Sequence, residues 1–206
     1  MVSARQMKIK TLFLSFILSC SIYECVPMNY YTGKTLEDGE SDVIAGLEYV
    51  DEQEYHNVAG PPLRVSLGYA EGFPYKFEFG IKYLFPLFVE GTMRYEITPR
   101  NNRIINMSLN SHLVTGYNIP PFLKYGITAS REIGPVTPVL GYYEYGVFKS
   151  NRELDKNFVY RQTISFGMTI PIGGICLIPE VNHQFSDNDI SDGWAVYGIG
   201  LRFGWK

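Results

Sequence analysis

Residues 75–83 read YKFEFGIKY, and this stretch decides the fold. Every odd position carries a large apolar or aromatic side chain, and every even position is charged or glycine. Because successive side chains of a β-strand point to opposite faces, a strand here has one apolar and one charged face. A helix would spread these residues around its axis and bury Lys76, Glu78 or Lys82. The stretch therefore predicts a β-strand over 75–83.

The same alternation continues along the chain from about residue 41. It predicts strands at 43–49, 63–69, 75–83, 89–97, 105–113, 123–129, 139–147, 158–170, 175–183 and 195–205. Ten is an even number, as single-chain bacterial barrels require, and eight is the alternative because the fifth and ninth segments alternate least clearly. The connections alternate between long and short except at 84–87, which is either a tight turn at Pro86 or a bend. This alternation places both chain ends on the periplasmic side of a barrel.

The composition fits one closed β-domain. The 206 residues include 20 glycines, 16 tyrosines and 13 phenylalanines, and the net charge is −3. Aromatic residues favour strands, and the slightly acidic balance offers no basic surface for nucleic acid. A mean hydropathy of −0.06 argues against a bundle of membrane helices, but alternating barrel strands also average to such a value. We predict an all-β, closed, antiparallel up-and-down transmembrane β-barrel.

The two faces of the predicted sheet differ in chemistry. The apolar face, predicted to meet lipid, carries Tyr49, Tyr69, Tyr75, Phe77, Phe79, Tyr83, Tyr95, Tyr125, Tyr143, Tyr145, Tyr160, Phe166, Phe203 and Trp205. The polar face, predicted to enclose paired charges in a narrow lumen, carries Glu48, Glu78, Glu90, Glu96, Glu144, Glu180, Arg64, Lys76, Lys82, Arg94, Lys124, Arg161 and Arg202. Polar positions of the fifth segment are Asn106, Ser108, Asn110 and His112. The alternative is a soluble periplasmic barrel whose apolar face points inward and binds an apolar ligand.

The N-terminal 19 residues have the pattern of a secretory signal peptide. Arg5, Lys8 and Lys10 precede an apolar run at 11–18, which is too short to span a membrane as a helix. The following ILSC at 17–20 resembles a bacterial lipobox, which implies lipid attachment at Cys20; the alternative is ordinary cleavage nearby with Cys20 incidental. Residues 20–40 are predicted to be a tether or a lead-in to the first strand, and 41–206 the barrel domain. Cys25 and Cys176 could pair in an oxidising compartment, and no cysteine spacing indicates zinc or redox chemistry.

As a pattern, residues 41–206 resemble a small bacterial outer-membrane β-barrel protein. The closing stretch 198–206, GIGLRFGWK, resembles the strand that barrel-assembly machinery recognises, except that Lys206 follows the aromatic Trp205. The resemblance implies a bacterial outer-membrane location and contact with outer-membrane lipid and lipopolysaccharide. It also implies insertion by barrel-assembly machinery, a monomeric state and no cofactor.

Residues 182–188, NHQFSDN, distantly resemble the His-x-Ser-Asn segment of outer-membrane lipid A deacylases. That resemblance implies acyl-ester hydrolysis by His183 and Ser186 on the outer wall. The three-residue spacing places the two side chains on opposite faces unless a bulge intervenes, and no glutamate follows Ser186. Asp187, Asn188, Asp189 and Asp192 offer oxygen ligands for a hard cation, but the EF-hand glycine and terminal glutamate are absent. We therefore predict a solvated acidic loop and no metal.

The function predicted first is a non-enzymatic outer-membrane barrel with a charged, largely plugged interior. Its role would be structural or surface-interacting, carried by loops at 51–62, 149–157 and 186–193. The alternatives are a lipid-modifying enzyme centred on His183 and Ser186, a small channel, and the soluble periplasmic barrel.

Overall fold

The barrel consists of ten antiparallel strands. The structure, a computed structural model, describes residues 29–50, 63–85, 88–99, 104–116, 119–148, 158–186 and 189–205. The strands are β1 (Ser41–Val50), β2 (Leu63–Phe73), β3 (Phe77–Phe85), β4 (Phe88–Glu96), β5 (Asn106–Gly116), β6 (Ile119–Ser130), β7 (Thr137–Phe148), β8 (Phe158–Ile172), β9 (Ile175–Ser186) and β10 (Asp189–Trp205). Each overlaps one predicted segment, so the prediction of ten strands is confirmed and the alternative of eight is wrong.

Pairing between the first and last strands closes the sheet. β1 hydrogen-bonds to β2 on one side and to β10 on the other, and every other strand pairs with its chain neighbours. The strand order is that of an up-and-down barrel without a free edge, so backbone groups along the wall are paired within the sheet. β3 and β4 pair from Phe77 with Tyr95 to Leu84 with Phe88, so they are two antiparallel strands and the alternative of a bend within one long strand is wrong. Residues 86–87, where the tight turn is predicted, lie outside the described residues. Within the described ranges, no helix is long and apolar enough to cross a membrane.

On most strands the apolar side chains face outward and the charged ones inward, although Leu84, Phe88, Val114 and Phe122 form an apolar cluster inside the barrel. On β2, Leu67 is 58% exposed whereas Arg64 is 5% exposed. The predicted polar residues of β5, Asn106, Ser108, Asn110 and His112, are likewise buried in the interior. The predicted assignment of the two faces is therefore confirmed for most strands. The alternative prediction, a soluble barrel whose apolar face points inward, is wrong.

β7 reverses the predicted faces. Tyr143 and Tyr145 were predicted to face lipid, which is wrong: they are 1% and 0% exposed. Glu144 was predicted to lie in the interior, which is also wrong, since it lies on the outer wall with the exposed Leu140 and Tyr142. The cause is that Tyr142-Tyr143-Glu144-Tyr145 carries aromatic rings on both parities. The register with β6 and β8 then decides which rings turn inward.

The predicted start of the third strand is also wrong. Residues Pro74–Lys76 form a 3-10 turn, in which Tyr75 and Lys76 have φ values of 62° and 67°. β2 extends to Phe73, which pairs with Phe77, so these three residues must reverse the chain. Tyr75 is 87% exposed, and Lys76 donates from Nζ to the Thr98 carbonyl at 2.6 Å beside the hairpin.

Candidate functional site: the interior of the barrel and its internal segment

A stretch of the N-terminal region lies inside the barrel. Residues 29–36, here called the internal segment, precede β1 and run along the lumen; Tyr30 is 1% exposed and Asn29 is 3% exposed. The sequence predicted only a tether or a strand lead-in at 20–40. The structure shows that residues 29–36 of that stretch lie inside the lumen. Most of their backbone polar groups are shielded from water, so these groups require hydrogen-bond partners within the protein.

Glu180 on β9 binds the beginning of the internal segment. Its Oε2 accepts a hydrogen bond from the Tyr30 backbone N–H at 2.7 Å, and its Oε1 accepts one from the Asn29 N–H at 3.0 Å. Ser165 also donates to Oε1, at 2.9 Å. Three strands away, on β6, Lys124 donates from Nζ to the Asn29 side-chain oxygen at 2.6 Å. The segment therefore bridges β9 and β6 across the lumen.

Arg94 on β4 holds the middle of the segment. One guanidinium nitrogen donates to Glu78 at 2.7 Å, and Nε donates to Asn110 at 3.1 Å. The remaining terminal nitrogen donates to the carbonyl oxygens of Thr32 and Lys34. The guanidinium carbon lies 4.7 Å from the centre of the Tyr31 ring, within cation–π range. One buried arginine thus joins the wall's ion pair to the backbone of the internal segment.

The end of the segment is bound by polar side chains near the Ser41 end of the barrel. The Leu36 N–H donates to Glu78 at 2.9 Å, and the Thr35 hydroxyl donates to Glu96 at 3.2 Å. The Gly33 N–H donates to the Ser130 hydroxyl at 2.9 Å. A Cβ at Gly33 would overlap the carbonyl group of Asn106, so this position has no room for a side chain.

Two glycines of the wall accommodate the ring of Tyr30. Gly46 on β1 and Gly200 on β10 are opposite each other across the strand pair. A Cβ at Gly46 would come within 2.7 Å of the Tyr30 ring, and one at Gly200 within 2.8 Å. The hydroxyl donates to the Leu47 carbonyl at 3.4 Å. Burial, then the nearby carboxylates of Glu48 and Glu180, raise the pKa of the Tyr30 phenol, which therefore stays protonated and remains a donor.

A second set of charges lies in the wall around the segment. Lys82 on β3 and Glu90 on β4 form an ion pair at 3.0 Å, and His112 Nδ1 lies 2.5 Å from the other oxygen of Glu90. All three side chains are almost completely buried. The predicted pairing of opposite charges inside the lumen is confirmed here and at Arg94 with Glu78. Such pairs avoid the cost of isolated buried charges.

A cavity of about 150 Å³ remains where the segment approaches the Ser41 end. It lies between the segment and the wall, with Tyr31, Leu36, Ile44 and Ala70 among its lining residues. Asp42 and Arg202 also line it and form an ion pair at 3.3 Å. The space is large enough for several water molecules and too small for a drug-sized ligand.

The catalytic residues of the deacylase alternative are only partly described. His183 lies on the outer wall of β9, half-buried, with its ring 6.0 Å from that of Phe185. β9 pairs with β8 in unbroken register from His183 to Ser186, and the irregularity lies in β10 between Asp189 and Gly193. The Ser186 side chain lies outside the described part, so the pair of His183 and Ser186 stays a prediction.

Three other predicted features cannot be compared with the structure. Cys20 and Cys25 lie outside the described residues, and Cys176 has no disulfide partner among the described ones. The side chains of Asp187, Asn188, Asp189 and Asp192 are likewise not described. In the described part, no group of three or more His, Cys, Asp or Glu side chains could hold a metal ion.

The sequence did not predict the hydrogen bonds between the side chains of the wall and the internal segment. The stretch NYYTG at 29–33 has neither strand nor helix periodicity, so no pattern predicts its partners. The available signal was indirect: small residues such as Gly46, Gly68 and Gly200 occupy interior positions of β1, β2 and β10 and leave space inside the barrel.

The closed strand order, with each strand paired to its chain neighbours, is the up-and-down architecture of small outer-membrane β-barrels. The chain is similar to the N-terminal β-barrel domain of Pseudomonas aeruginosa OprF, with 10% identity and a TM-score of 0.35 over 82% of this chain and 100% of that one. It is similar to Yersinia pestis Ail, the attachment invasion locus protein, with 14% identity and a TM-score of 0.35 over 82% and 99%. A third similar structure is Acinetobacter baumannii Omp33, with 10% identity and a TM-score of 0.30 over 82% and 99%. No protein-family model and no curated protein matches the chain.

Proposed function

We propose that the protein is a monomeric outer-membrane β-barrel whose lumen is closed by its own internal segment, with a structural or surface-interaction role. Outer-membrane lipid and lipopolysaccharide contact its outer wall, and barrel-assembly machinery inserts it. The loops between strands on the side away from the chain ends carry the surface interactions. The observation that carries the proposal is the combination of an apolar outer wall with a charged, internally bonded lumen.

The outer wall supports a membrane location. Large apolar side chains on neighbouring strands are about half exposed, among them Leu67, Ile81, Leu113, Leu140 and Phe166. An exposed apolar surface continuous around a protein would cause aggregation in water, whereas acyl chains cover it at no cost. The closed hydrogen-bonded sheet also meets the requirement that no backbone group face lipid unpaired.

The contacts of the internal segment support a closed lumen. Hydrogen bonds reach it from β3, β4, β6 and β9, and the Tyr30 ring rests on β1 and β10. A charged segment held at one point could move aside for a solute. Because partners on six strands surround this one, its release requires breaking several buried polar contacts together.

The membrane location is tested by fractionation and detergent extraction, followed by electrophoresis with and without heating. We expect the protein in the outer-membrane fraction, with an unheated form that migrates differently from the heated form. Recovery in the soluble periplasmic fraction would contradict the proposal.

Closure of the lumen is tested by conductance in planar bilayers. The wild-type barrel should show no stepwise conductance. A variant lacking residues 29–36 should open steps, because the wall partners of the segment then face a space that only the inward apolar cluster of Leu84, Phe88, Val114 and Phe122 still narrows. Retention of heat-modifiable migration shows that the variant still folds. Steady conductance from the wild type would replace the closed barrel with the small-channel alternative.

A further inference from the structure

We propose that Glu144, together with Tyr125, Tyr142 and Tyr160, forms a binding site on the outer wall for the ammonium group of an amine-bearing lipid headgroup. The proposal rests on the membrane location proposed above and names a ligand for a surface outside the lumen. We call these four residues the Glu144 site.

Three phenols converge on one outward carboxylate. Tyr142 on the same strand donates to Oε1 at 2.8 Å, and Tyr125 on β6 donates to Oε2 at 3.0 Å. Tyr160 on β8 is a third phenol that interacts with the carboxylate. Donors from β6 and β7 therefore bind a group that the sequence pattern had predicted inside the barrel. Such hydrogen bonds favour the charged form of the carboxylate.

The carboxylate remains incomplete as an acceptor. Two oxygens offer about four acceptor positions, and the hydrogen bonds from Tyr142 and Tyr125 use one position on each oxygen. Among the described side chains, no lysine or arginine forms an ion pair with Glu144. The site therefore presents a negative charge, a free acceptor position and neighbouring aromatic rings, which is the chemistry that recognises an ammonium group.

The depth of the site agrees with a headgroup rather than an acyl chain. Strands tilted by 35–45° rise about 2.5 Å per residue along the barrel axis. Glu144 is seven residues beyond Thr137, the start of β7, and so lies about 18 Å above it. Below it on the outer wall are exposed apolar residues, Leu140 and Phe166. The site therefore lies in the upper part of the apolar wall, near the level at which tyrosines of a membrane barrel meet polar headgroups.

An amine fits this site better than a divalent cation. Calcium takes six to eight oxygen ligands, mostly from carboxylates, carbonyls and water. Glu144 is a single carboxylate whose neighbours are phenols that already donate hydrogen bonds to it. One ammonium group requires only the acceptor capacity that the phenols leave free on the carboxylate.

The test measures lipid binding to the purified, folded barrel in detergent micelles. Phosphatidylethanolamine and phosphatidylglycerol with identical acyl chains are compared, because both carry a phosphate and only the first carries an amine. We expect the amine lipid to bind at least about tenfold more tightly, and Glu144→Gln to remove that preference. Excess ethylammonium chloride should displace the lipid if the ammonium group itself is recognised.

The matched control is Glu71→Gln. Glu71 lies at the opposite end of the barrel, half-buried, and receives one phenol hydrogen bond, from Tyr69 at 3.2 Å. Its substitution should leave the lipid preference unchanged. Equal binding of both lipids by the wild type, an unchanged preference in Glu144→Gln, or equal losses in both variants would overturn the proposal, as would loss of binding in EDTA. Heat-modifiable migration of each variant separates these outcomes from failure of the barrel to fold or insert.

Discussion

The inner wall around Arg94 and the outer wall around Glu144 both hold an ionisable group in a dense set of hydrogen bonds. Arg94 is 2% exposed, pairs with Glu78 and binds backbone carbonyls of the internal segment. Glu144 has phenols as partners and no ion pair among the described residues. All three guanidinium nitrogens of Arg94 have partners, which belong to separate parts of the fold, whereas the Glu144 carboxylate has spare acceptor capacity. The comparison shows that an ionised side chain can bind a ligand only if some of its hydrogen-bonding positions are left unoccupied by the protein.

The largest effect should follow from Arg94→Ala. Removal of the guanidinium leaves Glu78 as an uncompensated buried charge and releases the carbonyls of Thr32 and Lys34, so we expect a loss of about 3–5 kcal/mol in the free energy of unfolding. Urea unfolding in lipid vesicles measures it. The control is Arg131→Ala, an exposed arginine after β6, which should change stability by less than about 0.5 kcal/mol. Equal effects of the two variants would show that the inner network contributes nothing specific.

An intermediate loss in the free energy of unfolding should follow from Gly33→Ala. The added methyl group overlaps the Asn106 carbonyl, so either the internal segment or β5 must shift. We expect a loss of about 1–3 kcal/mol, together with faster proteolysis within residues 29–36. Gly91→Ala is the matched control, because its Cβ would point into open space on the outer wall. Unchanged proteolysis in Gly33→Ala would mean that the segment is not tightly held.

The smallest effect compares adjacent tyrosines of β7. Tyr143 shares a hydrogen bond of 2.7 Å with Thr128 in the interior, so Tyr143→Phe should cost about 0.5–1.5 kcal/mol of stability. Tyr142→Phe removes a donor that faces outward and should cost less than half of that. Unfolding of the two variants under identical conditions gives the comparison. A larger loss for Tyr142→Phe would support the predicted faces of β7 that the structure reverses.

The inward face of a strand can be predicted from the sequence only where polar and apolar residues alternate strictly along it. β5 has polar residues at Asn106, Ser108, Asn110 and His112, and its inward face was predicted correctly. β7 has rings at three of four successive positions, so alternation could not choose its inward face, and the hydrogen bonds of Tyr143 and Tyr145 to other strands decide it. His112 carried no motif, because its partner Glu90 belongs to another strand and only barrel closure brings them together.

The contact between Tyr30 and the glycine pair implies an order of assembly. Gly46 belongs to the first strand and Gly200 to the last, so the ring rests across the seam at which the sheet becomes a cylinder. The binding surface for the ring, made by Gly46 and Gly200, does not exist until β10 has been synthesised and has paired with β1. Residues near the beginning of the chain therefore reach their final position only after nearly everything that follows them has folded.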